Sequence, residues 1–366
     1  MVKKKVILFT ILAFSMIGAI VCFPFRILET TKLLEPLDSI HSNYTVHDPF
    51  VIDDSGAGYP PFSYTWAEAV QETWCSGAGT VSSPYIIEGL TIDAGGQPNC
   101  LIVRNSGDYF IIQNCQFSGS IAAAWYAGAV QLETALHGII MGNFFINNDP
   151  SGIVIRLNCQ DVTVKGNTFT NNNMNGVLVR DSTDITIFDN SISGGNYGIN
   201  CGQSTGVMVD LNAVTMNTRG LSITSNNAII TRNNASLNED EGIVLQCSGC
   251  TITENIADRN GIGILLQDSN YNNVTKNQAN NNRIGISIQS SDNNIITKNT
   301  LLNNEDCILE ELSEGNDIRD NNCGSSGSIG IPEYSLILMI LIIVNIGIII
   351  WVTLKRKNLK VQDMSI

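Results

Sequence analysis

The sequence comprises 366 residues, of which 43% are hydrophobic and 15% are charged, with a formal net charge of −14. Because disordered chains combine low hydrophobicity with high charge, this composition excludes a chain that is disordered throughout. Between residues 6 and 354, 13 basic residues stand against 33 acidic ones, and such a surface repels nucleic acid, so we expect no nucleic-acid partner.

The N-terminal segment has the pattern of a secretion signal. Three lysines precede an apolar run from Val6 to Phe23. This order of charge and apolar residues predicts a signal peptide or an uncleaved signal anchor over residues 1–25. Residues 26–80 contain Trp66 and Trp74, and we interpret this segment as a cap for the N-terminal end of the repeats that follow.

Residues 81–323 repeat the phrase "ITKN", or a variant of it, about every 22 residues. An aliphatic residue stands three before the closing asparagine, and an apolar residue stands two after it. A turn glycine follows eight or nine later and begins alternating stretches such as "GLSITS". Alternation with a period of two predicts strands, and 22 residues suit three short strands and three turns. The sequence therefore predicts an all-β fold, a right-handed parallel β-helix with one coil per repeat. A leucine-rich repeat shares the period but has a different pattern.

The recurring asparagine predicts a ladder of side-chain amides inside the solenoid. An amide both donates and accepts hydrogen bonds, and equivalent residues of neighbouring coils lie ~4.8 Å apart. The series of closing asparagines begins at Asn114. The predicted ladder consists of Asn143, Asn167, Asn190, Asn212, Asn233, Asn255, Asn277, Asn299 and Asn321.

The stretches "GISIQSSDNNIITKN" and "GILLQDSNYNNVTKN" resemble the right-handed β-helix repeat family, which includes NosD-like periplasmic proteins and carbohydrate-binding and sugar-hydrolase domains. The resemblance covers about residues 81–323. "SSPYIIEGLTIDAGG" with "CLIVRNSGDYFIIQNC" resembles the first coil of membrane-anchored archaeal surface proteins. This resemblance implies the fold and leaves the function open. NosD-like relatives imply a copper-linked role, but three scattered histidines argue against it, so we expect no copper site and no cofactor other than the Ca²⁺ considered below.

Two pairs of residues at equivalent repeat positions are candidates for catalysis. Arg156 and Arg180 both follow the turn glycine by four residues, and Asp161 and Asp184 both precede the closing asparagine by six. Carboxylates stacked ~4.8 Å apart approach the spacing of a retaining glycosidase pair. The same carboxylates suit Ca²⁺ or a surface ion-pair cluster. No histidine lies near them in sequence as an obvious base.

Trp125 and Tyr126 lie in an insertion, "SIAAAWYAGAV", within the longest gap between repeats. Placed over the arginine and aspartate face, the pair would stack on a sugar ring. The alternative is that the two rings cover a hydrophobic edge of the solenoid.

The ten cysteines suggest one disulfide. Cys307 and Cys323 begin and end the last coil, and a bridge between them would hold that coil together. Cys100 and Cys115 have a similar spacing in the first coil, and Cys201 is expected in the core. The "CSGC" at 247–250 has no partner cysteines or histidine nearby, so we predict no metal site there.

The C-terminal segment predicts a membrane anchor. Residues 324–333 read as a linker, residues 334–354 as a transmembrane helix and residues 355–366 as a cytoplasmic basic tail. The β-helix is then extracellular on a single-pass chain, or a two-pass chain if the signal is uncleaved. We expect carbohydrate binding or cell-surface adhesion, with the membrane and glycans or surface proteins as partners. The alternatives are a polysaccharide lyase or glycoside hydrolase and a structural cell-surface component; the lack of a complete catalytic set favours a non-enzyme.

Overall fold

Three parallel sheets wind around one core in about 11 coils of about 22 residues each. The structure, a computed structural model, describes residues 44–56 and 62–324. The predicted signal, transmembrane helix and basic tail lie outside the described residues. Among the residues described, no helix combines the length and the apolar character needed to cross a membrane.

Sheet A has seven strands and lines the shortest side of each coil. Beyond its last strand, single bridges continue the same side as far as Asn322. The strands are β1 Thr45–Val46, β6 Leu90–Asp93, β9 Gln116–Ser118, β12 Phe144–Ile146, β15 Thr168–Thr170, β18 Ser191–Ser193 and β21 Ala213–Val214.

Sheet B has twelve strands, and most of them are six residues long. Its order follows the coils from the N-terminal end to the C-terminal end. The strands are β3 Ser63–Tyr64, β2 Phe50–Asp53, β7 Leu101–Arg104, β10 Gly128–Glu133, β13 Ser151–Arg156, β16 Asn175–Arg180, β19 Tyr197–Gly202, β22 Arg219–Thr224, β24 Glu241–Leu245, β26 Ile262–Gln267, β28 Ile284–Gln289 and β30 Asp306–Glu311.

Sheet C also has twelve strands, and one of them, at the N-terminal edge, is antiparallel. The strands are β4 Cys75–Ser76, β5 Tyr85–Glu88, β8 Phe110–Gln113, β11 Gly138–Met141, β14 Gln160–Lys165, β17 Thr183–Phe188, β20 Met208–Asp210, β23 Ile229–Thr231, β25 Thr251–Thr253, β27 Asn273–Thr275, β29 Ile295–Thr297 and β31 Asp317–Arg319.

Each coil passes through sheet B, then sheet C, then sheet A, and its inward side chains form columns along the solenoid. The register pairs Phe145 with Phe169 and then Phe169 with Ile192. The rings of Phe145 and Phe169 stack with centroids 4.7 Å apart. Both are almost fully buried, so aliphatic and aromatic columns make a core that excludes water.

The N-terminal end of the solenoid is closed by the only helix in the described residues, α1 Trp66–Ala69. Trp66 is 1% exposed, stacks on Tyr85 at 4.7 Å and donates its indole N–H to Ser106. Pairing also begins earlier than residue 81, because β1 and β2 join β6 and β7. The segment interpreted as a cap therefore contributes strands to the solenoid as well.

The asparagines of the predicted ladder are hydrogen-bonded from coil to coil. In one coil, the backbone N–H and the amide of Asn233 both donate to Oδ1 of Asn255. The amide of Asn255 in turn donates to Asn277 Oδ1 and to the carbonyl of Ile230. All of these groups are buried, so each amide satisfies polar atoms that water does not reach.

The first position of this ladder is Cys115 and not Asn114. Cys115 donates its backbone N–H to Asn143 Oδ1, while Asn114 lies in a left-handed conformation one residue earlier. The alignment at Asn114 was wrong by one residue because Cys115 lacks the amide that marks the later coils.

A second asparagine ladder, five residues after the first, was not predicted. It holds the corner between sheets A and B, where Asn217 donates to Asn238 Oδ1 and Asn238 to Asn260 Oδ1. Gly195 takes the place of an asparagine in one coil. The ladder consists of Asn148, Asn172, Asn217, Asn238, Asn260, Asn282 and Asn304.

The glycines interpreted as turn residues lie inside the strands of sheet B, at the second position. None of them has a positive φ, so conformational freedom is not the reason for glycine. A Cβ on Gly198 would collide with the Val214 side chain and lie 2.8 Å from the Gly220 carbonyl oxygen. Close approach of the coils therefore requires glycine at this column.

Two disulfides and five free cysteines are present in the described residues. Cys307 bonds to Cys323, and Cys247 bonds to Cys250 within the "CSGC". Cys100 and Cys115, whose spacing suggested a pair, are both free thiols, and Cys201 is fully buried in the core. The unpaired thiols point inward, so they act as small core residues.

Candidate functional site

The loop that connects β9 to β10 lies across the outer face of sheet B. It contains Trp125 and Tyr126, which remain 44% and 41% exposed. Val154 and Leu178 point outward from sheet B, yet they are 0% and 3% exposed. The two aromatic residues line a cleft with them, so this loop shields apolar groups that would otherwise face solvent.

Each aromatic ring also contacts one of the arginines singled out in the sequence. The guanidinium carbon of Arg156 lies 4.4 Å from the ring centroid of Tyr126, and that of Arg180 lies 4.9 Å from Trp125. These are cation–π distances, and each such contact contributes roughly 0.5–2 kcal/mol. The sequence therefore identified four residues that the fold brings together.

The loop and the sheet enclose two adjoining cavities of about 240 and 270 Å³. Trp125, Leu178 and Arg180 line both. The first also includes Tyr126, Val154, Arg156, Leu157 and Asp181. The second also includes Val179, Asn200, Gly202, Gln203 and Thr224. We call these the first and the second cavity of the sheet B cleft.

A column of charged residues leads along sheet B to the cleft, and its charges alternate in sign as far as Arg156. In register order it consists of Asp53, Arg104, Glu133, Arg156 and Arg180. Nε of Arg104 lies 2.8 Å from Asp53, and Nε of Arg156 lies 2.9 Å from Glu133. Burial raises the pKa of Asp53, but its hydrogen bonds outweigh this and leave the pKa below its usual value.

Asp161 and Asp184 lie at equivalent positions of neighbouring coils, near the beginning of strands β14 and β17 of sheet C. Neither residue lines the cleft. Asp161 Oδ2 lies 2.7 Å from Nδ1 of His137. His137 in turn stacks on Tyr109, with centroids 4.3 Å apart. Proximity in sequence did not indicate His137, because it is 24 residues away from Asp161 in sequence and one coil away in space.

Asp184 has a structural role in a turn, and the same arrangement recurs in other coils. Its carboxylate lies against Gly206 of the next coil, as Asn293 lies against Gly315. All four residues have positive φ. A short polar side chain followed by glycine in the next coil is therefore a repeated turn device, and Asp184 has this structural function.

Two family models match overlapping parts of the chain. "Right handed beta helix region" matches residues 79–214, and "Periplasmic copper-binding protein (NosD)" matches residues 198–336. These matches agree with the three parallel sheets and the 22-residue coil of the structure. The chain is a right-handed β-helix repeat protein.

In the part of the β-helix protein that the structure describes, copper ligands do not occur together. Residues 198–336 contain no histidine. Within the described part of that segment, four cysteines form disulfides and Cys201 is buried. No group of three His, Cys, Asp or Glu side chains in the described ranges is placed to hold a metal. The residues therefore do not fit the copper site that the family name implies.

Among curated protein sequences, none matches the β-helix protein. Solved structures also resemble it, among them an adhesin and two epimerases. PfbA, a surface adhesin of Streptococcus pneumoniae, is 15% identical over 57% of this chain and 60% of PfbA, with a TM-score of 0.46. The periplasmic alginate epimerase AlgG is 17% identical over 65% and 68%, with a TM-score of 0.40. The A-module of the Azotobacter vinelandii mannuronan C-5 epimerase AlgE6 is 13% identical over 66% and 89%, with a TM-score of 0.42.

At these identities and TM-scores the three structures carry no argument about activity. The β-helix protein also spans only 60% of the length of PfbA.

Proposed function

We propose that the chain is a membrane-anchored extracellular protein that binds carbohydrate in the sheet B cleft. The observation that supports this is the pair Trp125 and Tyr126, which are partly exposed beside two arginines. Aromatic rings bind the apolar faces of sugars, and guanidinium groups donate to sugar oxygens. The signal and the C-terminal apolar segment support a location outside the cell.

The test is an oligosaccharide array probed with the full-length chain in detergent micelles, with and without Ca²⁺. We expect binding that Trp125→Ala and Tyr126→Ala each weaken about two- to tenfold, since one aromatic contact is removed. Tyr271→Ala is the control, because Tyr271 is 69% exposed and does not line the cleft. An array without any binding would reject the proposal and favour a structural surface role.

A second candidate function is cleavage of a glycan at the corner where each coil passes from sheet B to sheet C. The observation that favours it is the hydrogen bond between His137 and Asp161, since a carboxylate that orients a histidine is a common general-base arrangement. Mass analysis of the incubated oligosaccharides tests this function. Shortened products that disappear with His137→Ala would support it, and intact oligosaccharides would reject it.

A further inference from the structure

Arg180 differs from the other arginines of its column. Arg104 and Arg156 pair with carboxylates that are 1% and 16% exposed, at 2.8 and 2.9 Å. The carboxylate beside Arg180 is Asp181, at 3.4 Å, and it is 48% exposed. Water screens an ion pair of this kind, so the charge of Arg180 is only weakly compensated.

The position that follows Arg180 in the column is Gly202, which has no side chain. The next member of the column is Thr224, and a Cβ on Gly202 would lie 2.8 Å from its Oγ1. The second cavity therefore occupies the gap that the missing side chain leaves between a guanidinium and a hydroxyl group.

The groups around this gap define the chemistry of a ligand. Arg180 supplies a permanent positive charge with donors that match a carboxylate or a sulfate. Asn200, Gln203 and Thr224 supply amides and a hydroxyl group that suit sugar hydroxyls, and Trp125 adds an aromatic wall. At about 270 Å³ the cavity is slightly smaller than the roughly 300 Å³ minimum of drug-sized pockets, so it suits one sugar ring.

We propose that the second cavity binds one acidic sugar unit, with its carboxylate or sulfate on the guanidinium of Arg180. This proposal rests on the proposed function and specifies its ligand class. Because the segment from residue 6 to 354 carries a net charge of −20, a densely charged polymer is repelled at long range. The expected ligand is therefore a glycan whose acidic units are separated by neutral ones.

Titration calorimetry of the full-length chain with three matched oligosaccharides tests the proposal. The first contains one uronic acid unit, the second is the same molecule with its carboxyl reduced to an alcohol, and the third carries a sulfate ester on the neutral form. We expect the uronate, the sulfate ester or both to bind at least about tenfold more tightly than the neutral form. The two acidic forms distinguish carboxylate from sulfate as the natural group.

Two variants locate the interaction. Arg180→Gln should remove the preference for the acidic form. Gly202→Thr should weaken binding about tenfold by filling the cavity, without removing the arginine or its contact with Trp125. Arg319→Gln is the control, since Arg319 is 62% exposed, also lies beside carboxylates, and is in the last coil.

The outcomes separate the two proposals. Equal binding of acidic and neutral forms that is lost in Trp125→Ala would keep the carbohydrate function and overturn the acidic-ligand proposal. An acidic preference that survives both Arg180→Gln and Gly202→Thr would overturn the assignment to this cavity. Absence of binding by all three would overturn the carbohydrate function together with this proposal.

Discussion

Single buried side chains determine how the coils of this solenoid are held in register. The amide of Asn255 donates to Ile230, Thr253 and Asn277, and its oxygen accepts from Asn233. Such an amide satisfies backbone groups of two neighbouring coils at once. Its removal would leave the backbone N–H of Asn233 buried without its acceptor and would take a donor from Ile230, Thr253 and Asn277, which is more costly than the loss of an exposed hydrogen bond.

We expect Asn255→Ala to lower the free energy of unfolding by about 3 kcal/mol, because several buried donors and acceptors lose a partner. Urea denaturation of the full-length chain measures this. Gln246→Ala is the matched control, since that amide lies on the exposed outer surface of the solenoid and donates only to Gln267. A loss as small as that of Gln246→Ala would show that the ladder contributes little to stability.

Because of the buried free thiols, we expect the free energy of unfolding to depend on pH in the alkaline range. Burial raises the pKa of Cys201 from its ordinary value of 9.0 to about 12. The neutral thiol is thus favoured in the folded state, and this contribution is complete below pH 9 and is lost as the pH rises toward 12.

The measurement is the urea midpoint between pH 8 and pH 11, compared for wild type and Cys201→Val. Valine is similar in size and does not ionise, and the neighbouring positions are Val179 and Ile223. We expect the variant to lose less stability over this interval. Equal losses in the two proteins would assign the alkaline effect to other groups.

At the scale of elements, the sequence predicted the strands well because each coil repeats the same pattern. It missed the second asparagine ladder, although the signal was present five residues after the first. It also misassigned the glycines, because a pattern of glycine followed by a strand suits both a turn and a close contact. The partnership of His137 with Asp161 depends on which residues share a column across an irregular coil, and the period alone did not give this register.

Gly198→Ala tests the close contact between sheets A and B. Its Cβ would meet the side chain of Val214, so we expect a loss of about 1–3 kcal/mol in the free energy of unfolding. Gly107→Ala is the control, because Gly107 has open space around it and no positive φ. If both substitutions cost the same, steric collision is not the reason for glycine in this column.

For the molecule as a whole, contacts connect each coil only to its neighbours, so stability varies along the solenoid. The N-terminal end is covered by α1, whereas β30 and β31 form the C-terminal edge of the described sheets. The disulfide between Cys307 and Cys323 closes the last coil. This coil has the fewest neighbours and depends most on that bond.

We expect the double variant Cys307→Ser and Cys323→Ser to speed hydrogen exchange in the last coil by about a hundredfold, since a loop of 16 residues gains roughly 3 kcal/mol from its bridge. Exchange in β16 should not change. The double variant Cys247→Ser and Cys250→Ser is the control for loss of a bridge inside the solenoid. Faster exchange throughout the chain would contradict the independence of distant coils.

The asparagine ladder has a consequence for how this protein can change its length in evolution. From Asn143 to Asn299, each ladder amide accepts from the coil before it and donates to the coil after it, as Asn233, Asn255 and Asn277 do. Duplicating one whole coil therefore adds a link with the same donors and acceptors, while inserting a single residue displaces every column at once. The solenoid therefore gains or loses length in units of one whole coil. Smaller insertions are confined to the corners between sheets, such as the loop that carries Trp125.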